Sequence, residues 1–345
     1  MKFNNAKIAL GVLLILAIVW FVAARSRPLE KYREVKEIGS VPITIDVCVE
    51  KGVDIKKTAR VLEDVWQKNR DIYTRMSNYI DDSDIGKINR SYQNPQKVGE
   101  DTIRVFDKAL QYKKKTRGVF DITVRSFMDL WSKCQNENRL PTQQELADAK
   151  AAARLSNVKV LLGNRIEILN PRTKVDYGGI ATGFAIDEVV KILHKRGIKN
   201  FLIDAGGDMY ASGSNCGRKP WTIAIRNPED RTKIVDVIQV SGLSVSTSGG
   251  FEKFYSINGQ KFSHIINPMT GYPQKGVISA TVIAPTGIDN DVLATSLCVL
   301  DPKEGTALID SLGKKYASVI ITKDREGRLV FHKSKTYRNF QINKH

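Results

Sequence analysis

Residues 8–24, IALGVLLILAIVWFVAA, form an unbroken apolar run, and nothing of that kind recurs anywhere else in the 345-residue chain. Lys2 and Lys7 precede the run, and Arg25 and Arg27 close it. Its length lies at the short limit for a membrane-spanning helix and slightly beyond a signal-peptide core, so it fits both an export signal and a single anchor. The small residues near Ala23 and Ala24 make a weak cleavage site, which favours an uncleaved anchor. Basic residues flank both ends, so charge bias alone sets no orientation. A short charged segment ahead of the first apolar run usually exports the downstream chain, and no later stretch is long enough to return it. The expected plan is an anchor or signal over residues 1–26, a linker over 27–35 and an extracytoplasmic domain over 36–345.

A hydrophobic content of 42% over this length supplies ample apolar surface for a buried core. No period of 20 to 50 residues repeats, which excludes solenoids and propellers. The net charge of +17 raises the question of nucleic acid. However, Lys and Arg are spread among acids, no basic run is interleaved with aromatics, and no zinc-finger or RNP-type motif occurs, so no nucleic-acid partner is expected. A surface facing anionic lipid, or an anionic small substrate, fits the same charge. Cys48, Cys134, Cys216 and Cys298 form no CxxC pair, and none lies close enough after the apolar run for lipid attachment. A disulfide is compatible with an oxidising compartment, but scattered cysteines in a large domain are more often small buried apolar residues.

Strand-like and helix-like patterns then alternate. VPITIDVCVE, with Ile43, Ile45 and Val47 on one face, reads as a strand, and residues 54–76 place Ala59, Leu62, Val65, Trp66 and Ile72 on one helical stripe. A loop is expected at SNYIDDSDIGKIN, then a helix capped by Asp101 and ended by Gly118, then another opened by the capping box Thr142–Glu145. Two glycine turns come next, in VDYGGIATGFAIDEVVKILHKRG and NFLIDAGGDMYASG; neither matches GxGxxG or GxxxxGK[ST], so the common nucleotide fingerprints are lacking. Ala185, Val189, Ile192 and Leu193 mark the buried side of a helix in the first, with Gly197 as its stop. PWTIAIRNP and VISATVIAP read as strands, Asn258-Gly259 as a hairpin turn, GIDNDVLATSLCVL as a helix and ASVIITKDREGRLVFHK as a closing hairpin.

Two features point to chemistry. Asp291 and Thr295 are four apart on the expected helix, so a carboxylate and a hydroxyl share one face and can both reach a hard cation; a capping or solvated pair is the alternative. His264, one of four histidines, stands directly before the turn-rich NPMTG, where it is either a strand-to-turn junction or part of a catalytic loop.

Taken in order, MSNYIDDSDIGKIN, GVFDITVRSFMDLW, VDYGGIATGFAID, DAGGDMYASG, STSGGFEKF, HIINPMTGYP and DNDVLATS make the chain resemble the ApbE family of FAD:protein FMN transferases. The resemblance implies an α+β fold with mixed β-sheets flanked by helices in two closely associated lobes, the FAD lying between them. A simple doubly wound sheet is the alternative, and the missing strand-GxGxxG-helix unit counts against it. The resemblance also implies Mg²⁺-dependent transfer of the FMN half of FAD to a Ser or Thr hydroxyl of a partner flavoprotein, with release of AMP. Metal ligands map onto Asp291, Thr295 and the carbonyl of Gly179, an all-oxygen set suited to Mg²⁺. FAD contacts map onto Tyr79, Val119, Phe120, Asp121, Asp176, Thr182, Thr247, Ser248 and His264, and His264 with Asn267 forms the expected catalytic pair. Two positions depart from the family: Asn267 stands where HIIDP has aspartate, and Thr182 where GGIAKG has lysine. Both changes remove a charge, and losing one well-placed contact can cost about 3 kcal/mol of transition-state stabilisation. Hydrolysis of FAD to FMN and AMP, or non-catalytic FAD binding at a membrane, are the competing readings. The expected location is a bacterial inner membrane with the catalytic domain periplasmic, beside respiratory or electron-transfer subunits that accept the flavin.

Overall fold

The structure, a computed structural model, describes residues 28–53, 55–250 and 253–342. The apolar run and its expected membrane role lie outside them; among the described residues no helix is long and apolar enough to cross a membrane. Charges alternate with inward-facing Tyr32, Glu34, Lys36 and Ile38 along β1 (Leu29–Ile38), which pairs along its whole length with β2 (Val41–Glu50). Most of the stretch expected as a linker is therefore an edge strand, whose charge-rich composition masked its period of two. Such charges also discourage edge pairing with other chains.

Helices α1 (Ile55–Met76), α2 (Asp84–Arg90), α3 (Glu100–Lys115), α4 (Arg125–Asn136) and α5 (Gln143–Ala152) come next, with a small sheet of β3 (Gln96–Lys97), β4 (Val158–Leu161) and β5 (Arg165–Ile168). Then come α6 (Ala181–Lys195), β6 (Phe201–Ala205), β7 (Asp208–Ser212), the pair β8 (Trp221–Arg226) and β9 (Ile234–Val240), β10 (Leu243–Gly249), and the hairpin β11 (Phe254–Ile257) with β12 (Gln260–Ser263). β13 (Ser279–Ala284), α7 (Gly287–Leu297), α8 (Pro302–Ser311), β14 (Ala317–Lys323) and β15 (Leu329–Lys333) complete the order.

Eight strands form one sheet in the order β1-β2-β6-β7-β10-β13-β14-β15, and every pairing is antiparallel. The expected mixed sheets are thus antiparallel in this chain. The reason lies in the connections: α6 brings the chain back to the pole where β2 ends, so β6 enters against β2, with Val47 opposite Phe201. Helices α1, α6, α7 and α8 cover one face of the sheet, and the β8–β9 hairpin covers the other through Trp221, Ile223, Ile225 and Ile238. A second core gathers α2, α3 and the small sheet around Ile85, Ile88, Phe106 and Tyr177.

Local expectations fail where a short signal was outweighed. SNYIDDSDIGKIN, expected as a loop, contains α2: Ser83 Oγ accepts from Gly86 N at 2.7 Å, and Ile85 and Ile88 are fully buried, but seven residues are too few for a periodic pattern. Gly99, not Asp101, is the N-cap of α3; Asp101 sits in its first turn, where a carboxylate favours the helix dipole. The Gly206-Gly207 turn joins two strands. The capping box at Thr142 and the Asn258-Gly259 hairpin turn form as read, the latter with positive φ at both residues.

Cys48 and Cys216 form a disulfide, a pairing that their scattered positions leave open, and Cys134 and Cys298 are buried thiols. Nearby, the buried Asp46 accepts from Arg33 Nε at 2.6 Å, Arg33 Nη2 at 2.7 Å and Lys31 Nζ at 3.0 Å, tying β1 to β2. Burial alone would raise its pKa, but these hydrogen bonds outweigh it and hold the carboxyl below its ordinary 3.8. A depressed carboxylate contributes stability above its unfolded pKa and loses it as pH falls through the folded value. Asp46→Asn should therefore cost about 2 kcal/mol at neutral pH. In chemical denaturation series, the gap from wild type should close as pH falls below 3.8.

Candidate functional site

Two helix starts meet through glycine. Ile180 gives α6 no side-chain cap, and the orphan N–H of Gly183 donates instead to Asp291 Oδ2 on α7 at 3.0 Å. In return Asp187 of α6 accepts from the first N–H groups of α7, Gly287 at 2.6 Å and Ile288 at 3.1 Å. This reciprocal capping needs the two backbones in contact: a Cβ on Gly183 would overlap the Gly287 carbonyl and lie 2.8 Å from Ile288 N. Backbone cannot swing aside as a side chain can, so Gly183→Ala should cost about 3 kcal/mol and loosen both caps. Thermal unfolding beside the milder control Gly217→Ala, where a Cβ meets only the Asn215 side chain at 3.3 Å, checks this.

Asp291 is 5% exposed and Asp289, two residues earlier, 9%. Burial pushes the Asp291 carboxyl well above its ordinary 3.8; the nearby Asp208 carboxylate pushes it further, and the Gly183 hydrogen bond opposes both. Asp208 opens β7 and is itself hydrogen-bonded by Ser246 Oγ of β10. Two acids crowded in a buried corner form a site that favours a cation.

Contacts link the remaining motifs to this corner or to one another. One turn along α7, Thr295 faces Gly179: a Cβ on Gly179 would stand 3.3 Å from Thr295 Oγ1 and 3.4 Å from the Phe120 ring, so the absent side chain leaves a cradle between them. Asn89 of α2 exchanges hydrogen bonds with the Val175 backbone, at 2.7 and 2.9 Å, tying the SNY segment to the YGG turn. The NPMTG turn docks through Met269 against Gly118, directly before Val119, and its Gly271 carbonyl accepts from Trp131 Nε1 at 2.8 Å. Ser263, beside His264, packs against Gly250 just past the end of β10.

The donor set fits a hard cation. Asp291 and Thr295 supply a carboxylate and a hydroxyl from one helix face, and Gly179 brings backbone within reach of the same hydroxyl. Asn290, next to Asp291, is buried with neither carboxamide atom hydrogen-bonded among the described residues, so the corner has unspent polar capacity. Among the described residues no three His, Cys, Asp or Glu side chains form a cluster that could hold a metal ion, so the oxygens at this corner are one carboxylate, one hydroxyl and backbone.

The other expected site residues divide. Thr182 lines a mostly apolar cavity of ≈ 100 Å³ with Val41, Tyr73, Ser77 and Ala185, between α1 and α6. Asp176 accepts from Gly178 N at 2.6 Å and faces Arg125 at 3.4 Å; Asp121 accepts from Thr123 N and Oγ1 and pairs with Lys113. Both carboxylates shape the turns that carry Gly179 and Phe120. Val119 is half-buried, and Tyr79 is 82% exposed at the rim. Thr247 and Ser248 alternate along β10: Thr247 bonds Thr281 on the hairpin-covered face at 2.7 Å, while Ser248 shares the helix-covered face with Ser246. Asn267 Oδ1 accepts from Met269 N at 2.9 Å and so holds the NPMTG turn. His264 Nδ1 lies 2.9 Å from the Lys253 carbonyl, and a proton on Nδ1 leaves Nε2 as the basic nitrogen.

Asp208, Asp187 and Ser246 join the corner without having been expected there. The second acid of DAGGD was a usable signal for Asp208; the partners of Asp187 and Ser246 lie 100 and 38 residues away, beyond any local pattern.

Comparison with known proteins places these features in a group. The ApbE family model matches residues 41–320. A protein named FAD:protein FMN transferase from Klebsiella pneumoniae (strain 342) is 32% identical over 285 residues, 80% of this chain and 81% of that protein. The one from Escherichia coli K12 is 30% identical over 281 residues, 79% of this chain and 80% of its own. Among solved structures, the flavin transferase ApbE from Vibrio cholerae superimposes with a TM-score of 0.77 at 26% identity, covering 91% of this chain and 100% of that one. The ApbE protein from Thermotoga maritima gives 0.79 at 27% identity, with 91% and 100% covered.

Proposed function

The chain belongs to the ApbE family, and on that premise we propose that it transfers flavin: the FMN moiety of FAD passes to a Ser or Thr hydroxyl of a partner flavoprotein and AMP leaves. The observation that carries this reading is the buried Asp291, set with Thr295 against the Gly179 cradle where two helix starts cap each other. Mg²⁺ held by Asp291, Thr295 and the Gly179 carbonyl would neutralise charge on the pyrophosphate.

The protein's own residues do the rest. Gly179 leaves room for a phosphate oxygen between Thr295 and Phe120, beside the start of α6 where negative charge is favoured. Phe120 and Thr182 border the places where rings of FAD can lie, and Tyr79 stands at the rim to stack on one. His264 takes the proton of the incoming hydroxyl on Nε2 while its Nδ1 stays directed at the Lys253 carbonyl. The acceptor oxygen bonds to the FMN phosphorus, the pyrophosphate P–O bond breaks, and AMP carries away the electron pair. Asn267 keeps the turn that carries His264, a task an amide performs as well as a carboxylate, which supports an active enzyme.

An N-terminal anchor over residues 1–26 with the catalytic domain outside the cytoplasm belongs to the same proposal. The Cys48–Cys216 disulfide supports it, because such bonds persist in oxidising compartments.

The test is to incubate the full chain in detergent with FAD, Mg²⁺ and an acceptor flavoprotein, reading covalent flavin by in-gel fluorescence and AMP by chromatography. Fluorescent acceptor and AMP are expected together, and both should fall at least a hundredfold in His264→Ala. AMP with free FMN and an unlabelled acceptor would replace transfer by hydrolysis; bound FAD without either product would end the enzymatic reading.

A further inference from the structure

A half-open cleft of ≈ 330 Å³ lies at the opposite pole of the sheet from the site. There β2 ends, β1, β6 and α1 begin and α6 stops. The fifteen residues of α6 separate the two poles by about 22 Å. Leu29, Val53, Val61 and Ile198 give the cleft an apolar lining, and Lys57, Arg196, Lys199 and Arg218 stand around it against Glu50, the one carboxylate among the described lining residues. Arg196 is held by Asp64 at 2.5 Å, but no described carboxylate pairs with the exposed Lys57 or Lys199. The disulfide from Cys48 to Cys216 pins the loop that presents Arg218.

The chain itself says what this cleft faces. Leu29 lines it and stands five residues beyond the end of the apolar run at Ala24, a span of about 17 Å at full extension. Any bilayer that holds residues 8–24 therefore presents its headgroups at the mouth of the cleft. We infer that the cleft docks an anionic phospholipid headgroup, its phosphate between Lys57 and Lys199 and its glycerol region on the apolar lining. The docked orientation points the site at the other end of α6 away from the membrane, toward a soluble part of the acceptor. This inference rests on the reading of residues 8–24 as a membrane segment.

The test reconstitutes the full chain into phosphatidylcholine vesicles with or without phosphatidylglycerol and records flotation and amide hydrogen exchange over residues 49–58 and 196–200. Slower exchange in these segments is expected only with phosphatidylglycerol. Lys57→Gln/Lys199→Gln, which alters exposed residues remote from the site, should remove it while the protein still floats. At about fivefold per basic residue near an anionic surface, the double variant lowers the equilibrium constant for the docked orientation about 25-fold. Flotation on both vesicle types without such protection would overturn the cleft assignment and leave the anchor standing; flotation on neither would overturn both. Equal protection from dilute inorganic phosphate without vesicles would also overturn it, by moving the site to a soluble anion.

Discussion

Replacing Asp291 by Asn should lower FMN transfer about a thousandfold while leaving the metal-free protein at least as heat-stable as the wild type. The carboxamide keeps an oxygen that accepts from Gly183 N, so the cap on α6 survives. What disappears is the negative charge. In the proposed site that charge is the only full one offered to Mg²⁺ by Asp291, Thr295 and Gly179, and removing a preorganised electrostatic partner of this kind accounts for about 4 kcal/mol of barrier. In the absence of metal the same charge is a liability, because burial and the neighbouring Asp208 both disfavour it. Rate at saturating FAD and Mg²⁺, measured beside thermal unfolding in chelator, separates the two effects. Wild-type activity would remove Asp291 from the chemistry; a large fall in unfolding temperature would make it a structural residue.

Loss of the Cys48–Cys216 bond should be the largest single stability effect among these changes. The bond spans 168 residues, and closing a loop of that size in the unfolded chain is worth about 5 kcal/mol in the chain-entropy account. For a domain of this size that corresponds to roughly 10 °C or more in unfolding temperature. Cys48→Ser/Cys216→Ser should therefore melt far below the wild type, and reductant should reproduce the shift in the wild type without affecting the variant. Matching unfolding temperatures under oxidising conditions would show that the bond does not form in solution.

How much of the fold and site was legible in the sequence depends on how far each signal reaches. Asp291 and Thr295 share a helix face as their spacing implied, since a four-residue interval is fixed by local geometry once the helix forms. The capping box at Thr142 and the Asn258-Gly259 turn are equally local. The strand β1 was hidden because its alternation is carried by Tyr, Glu and Lys rather than by apolar residues, and α2 because its two buried isoleucines span less than one period pair. Antiparallel order in the large sheet depends on where α6 delivers the chain, which no window of residues contains. The site was legible as a set of motifs but not as a geometry. Gly183 against Gly287, Asp187 across to α7 and Asp208 beside Asp291 all join segments far apart in the chain, and each is a contact between two motifs rather than a property of one.

The most direct measurement is peptide mass mapping of an acceptor flavoprotein after incubation with the full chain, FAD and Mg²⁺, with AMP quantified in the same mixture. The expected result is FMN joined through its phosphate to one Ser or Thr, one AMP for each flavin attached, and neither product in Asp291→Asn. An unmodified acceptor with FAD intact, or full labelling by Asp291→Asn, would contradict the assignment of flavin transfer to the corner between α6 and α7.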